Sequence, residues 1–134
     1  MRVALLFDGG SVLDPMPDLL ILQTVEAIET ALENEGNSVV RVPVSGDGKW
    51  IDRIKRGRFD VAFNMCEGID GVAEMEPPVI SVLELFGLPY TGGSSYTTAL
   101  CLRKHVVNLL PGVDLTRGQC WHHAQRHGKC NQSS

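Results

Sequence analysis

The chain has 134 residues, of which 43% are hydrophobic and 21% are charged, a composition typical of one globular domain. It contains no signal peptide and no apolar stretch approaching the ~18 residues of a membrane-spanning helix, so we expect a cytoplasmic protein whose four cysteines remain thiols. The net charge of -4 divides into -8 over residues 1–84 and +4 over residues 85–134, without the basic patch that nucleic-acid binding requires.

The first half of the chain alternates between strand and helix patterns. Residues 3–7 are a continuous apolar run, typical of a strand buried on both faces of a parallel sheet. Residues 18–36 have the apolar period of an amphipathic helix, and Ser38–Val44 is β-branched and predicts a second strand. Asp47 is the predicted N-cap of a short helix that ends at Gly57.

The second half continues the alternation. Residues 59–64 predict a third strand, and Pro77-Pro78 opens a helix that ends at Gly87. The predicted buried stripe of that helix consists of Val79, Val82, Leu83 and Phe86. Residues 89–91 predict a short fourth strand. A glycine-serine segment, residues 92–95, then caps a last helix whose apolar face is Ala99, Leu102, Val106 and Leu110.

Strands and helices at this spacing predict an α/β domain over residues 1–110, followed by a linker-like tail over residues 111–134. We expect a Rossmann-like, three-layer fold with a mainly parallel sheet of about four strands. Ligands of such sheets bind beyond the carboxyl ends of the strands. The loops at residues 8–15, 64–75 and 92–96 should therefore meet at one edge of the sheet.

Two of these loops contain residues of chemical interest. Gly9-Gly10 lacks the third glycine of a dinucleotide fingerprint, so a simple strand-to-loop turn explains it. Four carboxylates cluster after the third strand, and such a cluster is typical either of a metal or ammonium site or of a solvated acidic loop. They are Glu67, Asp70, Glu74 and Glu76.

The tail contains potential zinc ligands, namely Cys120, His122, His123, His127 and Cys130. Their spacing matches no common zinc motif, so we predict adventitious metal capture rather than a physiological site. The change of composition after Cys120 is typical of a truncated, frameshifted or degenerate gene end.

Residues 59–104 resemble the N-terminal, pre-ATP-grasp domain of the D-alanine:D-alanine ligase family. The resemblance lies in the strand ending Phe63-Asn64, the Glu67-Gly68 pair, residues 84–92, and Ala99-Leu100 leading to Lys104. It implies a ligase of peptidoglycan biosynthesis that uses ATP and Mg²⁺ to join two amino acids. Because Glu67-Gly68 stands where many members have a histidine–glycine pair, the amino-acid substrate stays open.

The resemblance also implies residue roles. Ser11, Asp14 and Glu67 would contact the first amino acid, and Lys104 would reach the ATP phosphates, although an exposed lysine on a helix is the simpler interpretation. The resemblance ends before the family's central and catalytic domains, so we expect this chain to lack them. We therefore expect no catalytic residue, no bound ATP, Mg²⁺ or other metal, and no activity of the chain alone.

A different class of function is also open. The chain would then be a freestanding Rossmann-like binding or dimerisation module, and the reading frame downstream of its gene would distinguish the two hypotheses. A flavodoxin-type nucleotide enzyme is disfavoured because the first loop lacks a series of hydroxyl residues. In either case we expect a homodimer through the last helix or a sheet edge, with apolar surface around Tyr90, Tyr96, Val107 and Leu110.

Overall fold

The computed structural model of the chain describes residues 1–10 and 17–103. These residues form the elements β1 (Arg2–Asp8), α1 (Leu19–Asn34), β2 (Ser38–Val44), α2 (Lys49–Arg56), β3 (Val61–Asn64), α3 (Glu76–Leu85) and α4 (Ser95–Leu102). A 3-10 turn, Ala73–Met75, precedes α3. The predicted α/β class is confirmed. None of the helices in these two ranges has the length and apolar content that crossing a membrane requires.

The three strands form one parallel sheet in the order β2-β1-β3. In its register, Leu6 of the central strand lies opposite Val42 of β2 and Asn64 of β3. The chain passes from β1 through α1 to β2 and then returns through α2 to β3 on the other side of β1. The direction of strand succession therefore reverses between β1 and β3, and their carboxyl ends form the topological switch point where ligands of such sheets bind.

Alternate residues of β1 enter two separate cores, because successive side chains of a strand point to opposite faces. Ala4 and Leu6 pack with residues of α2 and α3 on one face: Trp50, Ile54, Val79 and Leu83. Leu5 and Phe7 pack on the other face against α1, through Val25, Ile21, Leu22 and Ile28. The described residues therefore form the predicted three layers, with helices on both faces of the sheet.

The predicted fourth strand is not confirmed. Residues 89–91 form a single parallel bridge, between Tyr90 and Ala62 of β3. The Ala62 N–H donates to the Pro89 carbonyl at 2.8 Å, and the Thr91 N–H donates to the Ala62 carbonyl at 3.0 Å. The next donor, the Asn64 N–H, binds the hydroxyl of Thr91 at 3.0 Å instead of a backbone carbonyl. Pairing stops there because Gly92, with φ of +110°, turns the chain away.

A side chain also completes the sheet at the opposite end of β3. The Asp60 carboxylate accepts the Arg2 N–H at 2.6 Å, and the Asp60 N–H donates to the Arg2 carbonyl at 2.8 Å. Arg58 just before has φ of +48°. Regular pairing therefore begins at Val61 rather than at Phe59, where the sequence predicted it.

β2 is an edge strand and contains a proline. The Val44 carbonyl accepts the Gly9 N–H at 2.8 Å, so the backbone of Val44 faces β1. Pro43, one residue earlier, consequently faces away from the sheet, where its missing N–H removes no ladder hydrogen bond.

The helices α1 and α2 begin with different kinds of N-cap. The Asp18 side chain accepts the Leu20 N–H at 2.9 Å and caps α1. The prediction of Asp47 as the N-cap of α2 was wrong by one residue, because the N-cap is Gly48, with φ of +71°. The Asp47 carboxylate instead closes the preceding turn by accepting from the Ser45 hydroxyl at 2.8 Å and from the Lys49 N–H at 3.1 Å.

The buried stripe of α3 ends one turn earlier than its period predicts. Val79 and Leu83 are fully buried, but Phe86 is 37% exposed. The helix ends at Leu85, and Gly87 follows with φ of +63°. Phe86 therefore no longer follows the helical period, and its ring lies partly in solvent.

The two leucines of α3 provide a matched test of this packing. Leu83 is completely buried, whereas Leu85 is 78% exposed. We expect Leu83→Ala to lower the free energy of unfolding by about 2–5 kcal/mol, because it leaves a cavity under the sheet. Leu85→Ala should change it by less than about 0.5 kcal/mol. Urea denaturation followed by circular dichroism measures both, and equal effects would contradict the burial of this face.

Candidate functional site

The carboxyl ends of β1 and β3 lie side by side. The Met65 N–H, just after β3, donates to the Leu6 carbonyl of β1 at 2.9 Å. The segments that follow the two strands, residues 8–10 and 65–76, therefore leave the sheet at the same edge. We call these two segments the carboxyl rim.

The first segment of the carboxyl rim packs tightly on β2. A Cβ atom at Gly9 would lie 3.0 Å from both the Pro43 Cβ and the Val44 carbonyl oxygen. The Gly10 N–H donates to the Asp8 carboxylate at 3.0 Å, and Gly10 has φ of +84°. The Gly9-Gly10 pair therefore serves a close backbone approach and a turn, as the simpler interpretation of the sequence predicted.

The second segment is a compact loop built around Cys66. The Cys66 N–H donates to the Asn64 side-chain oxygen at 3.2 Å, and its thiol donates to the Gly68 carbonyl at 2.8 Å. A Cβ atom at Gly68 would lie 2.5 Å from the Val72 carbonyl oxygen, so only glycine fits there. The loop then reverses between Ile69 and Val72, which exchange backbone hydrogen bonds at 2.9 and 3.3 Å.

Three carboxylates of the carboxyl rim direct negative potential towards Cys66. The thiol is buried, and its pKa is raised to about 11, first by burial and then by the charges of Asp8, Glu76 and Glu67. The pKa of Glu76 is itself raised by partial burial and by the neighbouring Glu67. Neighbouring negative charges of this kind favour a bound cation. The carboxyl rim is thus suited to a positively charged group.

The predicted acidic cluster is only partly assembled. Asp70 turns towards the β2–α2 connection, where its carboxylate accepts the Gly46 N–H at 3.2 Å. Glu67 and Glu74 are exposed and Glu76 is half-buried. Within residues 1–10 and 17–103, no three histidine, cysteine, aspartate or glutamate side chains lie close enough together to hold a metal ion. The exposure of Glu67 and Glu74 is also what a solvated acidic loop would show, so both interpretations of this loop stay open.

A third group of residues joins α3 to the glycine-serine segment that starts α4. The Glu84 carboxylate accepts from the Tyr90 hydroxyl at 2.7 Å and from the Ser95 N–H at 3.0 Å, and it also accepts from the Ser95 hydroxyl. The Ser94 hydroxyl accepts the Thr97 N–H at 3.1 Å, which satisfies a second free donor of the helix. Hydrogen bonds from Ser95 and Tyr90 hold the pKa of Glu84 below its usual value.

The structure locates only part of the site that the sequence predicted. Glu67 lies on the carboxyl rim as an exposed side chain. Ser11, Asp14 and Lys104 lie outside the described residues, as do Val107, Leu110 and the cysteines and histidines of the tail. Of the two tyrosines of the expected apolar surface, Tyr96 is 72% exposed, whereas Tyr90 packs against the core.

Sequence reasoning missed two residues of this region. The sequence analysis treated Cys66 only as one of four thiols. It treated Glu84 only as part of residues 84–92, the segment that resembles the ligase family. The partners of Glu84 are six and eleven residues away, at spacings that no helix or strand period relates. An acidic residue in the last turn of a helix, where it opposes the helix dipole, was the one local signal that Glu84 has a partner elsewhere.

Comparison with known proteins gives a consistent set of relatives. No family model matches the chain. The chain is 36% identical to D-alanine–D-alanine ligase B of Mesorhizobium japonicum over 104 residues. This aligned region covers 77% of this chain and 30% of the relative. It is 32% identical over 107 residues to the D-alanine–D-alanine ligase of Thermotoga maritima, covering 79% and 32%. The ligase of Erythrobacter litoralis is 29% identical over 101 residues, covering 73% and 30%.

These proteins are distant partial homologues, and the chain spans about a third of the length of the relatives that it matches. The resemblance of the sequence to D-alanine–D-alanine ligases is therefore confirmed as a distant similarity to one part of those proteins.

The buried environment of Cys66 predicts that its thiol reacts slowly with alkylating reagents. With a pKa of about 11, only about 0.1% of Cys66 is thiolate at pH 8. Cys101 is exposed and should be alkylated by iodoacetamide first. Raising the pH from 8 to 10 should accelerate the reaction of Cys66 by about 100-fold while the fold is intact. Peptide mass spectrometry follows both sites, and equal rates at pH 8 would contradict the buried position.

The hydrogen bonds of the Glu84 carboxylate should stabilise the first turn of α4. Glu84→Ala should increase amide hydrogen exchange over residues 95–102, because three hydrogen bonds are lost. Glu33→Ala, an exposed glutamate of α1, is the control and should leave α4 unchanged. Since the pKa of Glu84 is lowered in the folded chain, these bonds should be intact above about pH 4.3, the usual glutamate value, and lost as the pH falls through the lower folded value. A Ser95 amide chemical shift that does not change as Glu84 is protonated would contradict the interaction.

Proposed function

We propose that this chain forms the first amino-acid-binding domain of a ligase similar to the D-alanine–D-alanine ligases. The observation that carries the proposal is the negative carboxyl rim at the switch point between β1 and β3, in a chain whose relatives are named as ligases of an amino acid. Open parallel sheets bind their ligands at this position. A cytoplasmic location, where ATP is present, is part of the proposal.

The ligand group that the carboxyl rim favours is an ammonium. Glu67 is exposed and acts on the pKa of both Glu76 and Cys66. An amino acid placed here would bring its ammonium group between these carboxylates and relieve their repulsion. Glu67 is therefore the residue that we assign to the amino group of the first substrate. Ser11 and Asp14, from the loop after β1, are proposed to complete the contacts.

The chemical step belongs to the remaining length that the relatives have and that this chain does not match. Ligases of this kind must transfer a phosphoryl group, which requires basic groups and metal ligands held around the transferring phosphate. We propose that Lys104 contributes one cation towards the ATP phosphates, and that ATP and Mg²⁺ are otherwise bound by other parts of the ligase. The chain alone is accordingly proposed to be inactive.

A chimera tests the proposal. In the chimera, the matched region of this chain replaces the corresponding third of the Thermotoga maritima ligase. We expect the chimera to release phosphate from ATP in a D-alanine-dependent reaction. Glu67→Gln in the chimera should raise the KM for D-alanine by about 10-fold or more with little change in kcat, since hydrogen bonds to charged groups contribute about 1.5–3 kcal/mol. The isolated chain should release no phosphate above background.

Glu74→Gln is the matched control, because Glu74 is an exposed glutamate of the same segment that does not act on Cys66. It should leave the KM for D-alanine within about twofold of the unsubstituted chimera. A folded but inactive chimera, or equal KM values for the two variants, would contradict the assignment.

A further inference from the structure

A groove of about 270 Å³ lies at the amino edge of the sheet, at the other end of the strands from the carboxyl rim. Phe59, just before β3, forms one wall. The last turn of α2 and the end of α3 form the others, because both helices finish at this edge. We call it the amino-edge groove. Its volume is that of a small organic molecule rather than of a protein segment.

The floor of the amino-edge groove is apolar. Ile54 is buried in the core, and Phe59 and Leu88 are half-buried against it. Phe86, which follows the end of α3, is 37% exposed and also lines the groove. Two aromatic rings and two aliphatic side chains therefore line the groove, and the Arg2 guanidinium lies over the Phe59 ring at 5.4 Å from its centre.

The rim of the groove is positively charged. Lys55 and Arg58 line it, and no acidic side chain does. Neither cation forms a salt bridge within the part of the chain that the structure describes. The nearby Asp60 carboxylate accepts the Arg2 backbone N–H. The ends of α2 and α3 contribute roughly half a negative charge each, which the two full positive charges exceed.

We propose that the amino-edge groove binds a small organic monoanion that has an apolar ring or branched chain. The hydrocarbon part lies on Phe59, Phe86 and Leu88, and the carboxylate lies between Lys55 and Arg58. This site is separate from the carboxyl rim in both position and sign of charge. It does not depend on the ligase function proposed above.

The test uses the full chain labelled with ¹⁵N and three probes. Phenylacetate combines ring and carboxylate, phenethylamine replaces the carboxylate by an ammonium, and acetate lacks the ring. Phenylacetate should shift amide resonances of residues 54–59 and 86–88 with a dissociation constant on the order of 1 mM, as expected for a ligand of this size. Phenethylamine and acetate should bind at least 10-fold more weakly.

Two charge reversals on α2 make the test specific. Lys55→Glu should weaken phenylacetate binding at least 10-fold. Arg53→Glu makes the same charge change two residues earlier on the same helix, outside the groove, and should weaken it less than threefold. Equal weakening by both variants, equal binding of phenylacetate and phenethylamine, or shifts spread over the whole chain would each overturn the proposal. The comparison of probes uses the unsubstituted chain and holds even if a variant does not fold.

Discussion

The burial of β1 on both faces is the constraint on which the other elements depend. Each of its residues from Val3 to Phe7 is buried, so its backbone groups can be satisfied only by a strand on either side. β2 and β3 supply those partners in a parallel register. Parallel neighbours need a crossover connection, and α1 and α2 provide it while covering opposite faces. The position of the carboxyl rim follows, because the chain leaves β1 and β3 there towards helices on opposite faces, α1 and α3.

The sequence predicted the elements that depend on local pattern and failed where a distant partner decides the outcome. The period of α1 and the apolar run of β1 were sufficient because each pattern describes the burial of its own element. The fourth strand failed because its last ladder bond ends on the Thr91 hydroxyl rather than on a backbone group. The position of Glu67 on the carboxyl rim could be predicted because it lies in a loop after a strand. The partners of Glu84 become its neighbours only through the packing of α3 against α4.

The charges at two helix ends match the direction of the helix dipole. Helices that cross over a parallel sheet begin at its carboxyl edge, where their positive ends favour acidic residues such as Glu76 in the first turn of α3. They end at the amino edge, where the last turn of α2 carries three basic residues: Arg53, Lys55 and Arg56. The match is not general, because α1 has neither an acidic first turn nor a basic last turn, and Glu84 lies in the last turn of α3. Glu67, which lies outside any helix, adds to the acidic side beyond what the helix ends account for.

The two edges of the sheet differ in how open they are to pairing with a strand of another chain. An open edge strand is a template on which another chain can add a strand and start a fibril. On β3, the outward backbone groups of Ala62 and Asn64 are occupied by Pro89 and Thr91. On β2, the outward position of Pro43 offers no donor, and the exposed Arg41 pairs with Glu29 of α1. Within the part of the chain that the structure describes, neither edge presents an unbroken row of backbone hydrogen-bonding groups, so neither offers a continuous template for a further strand.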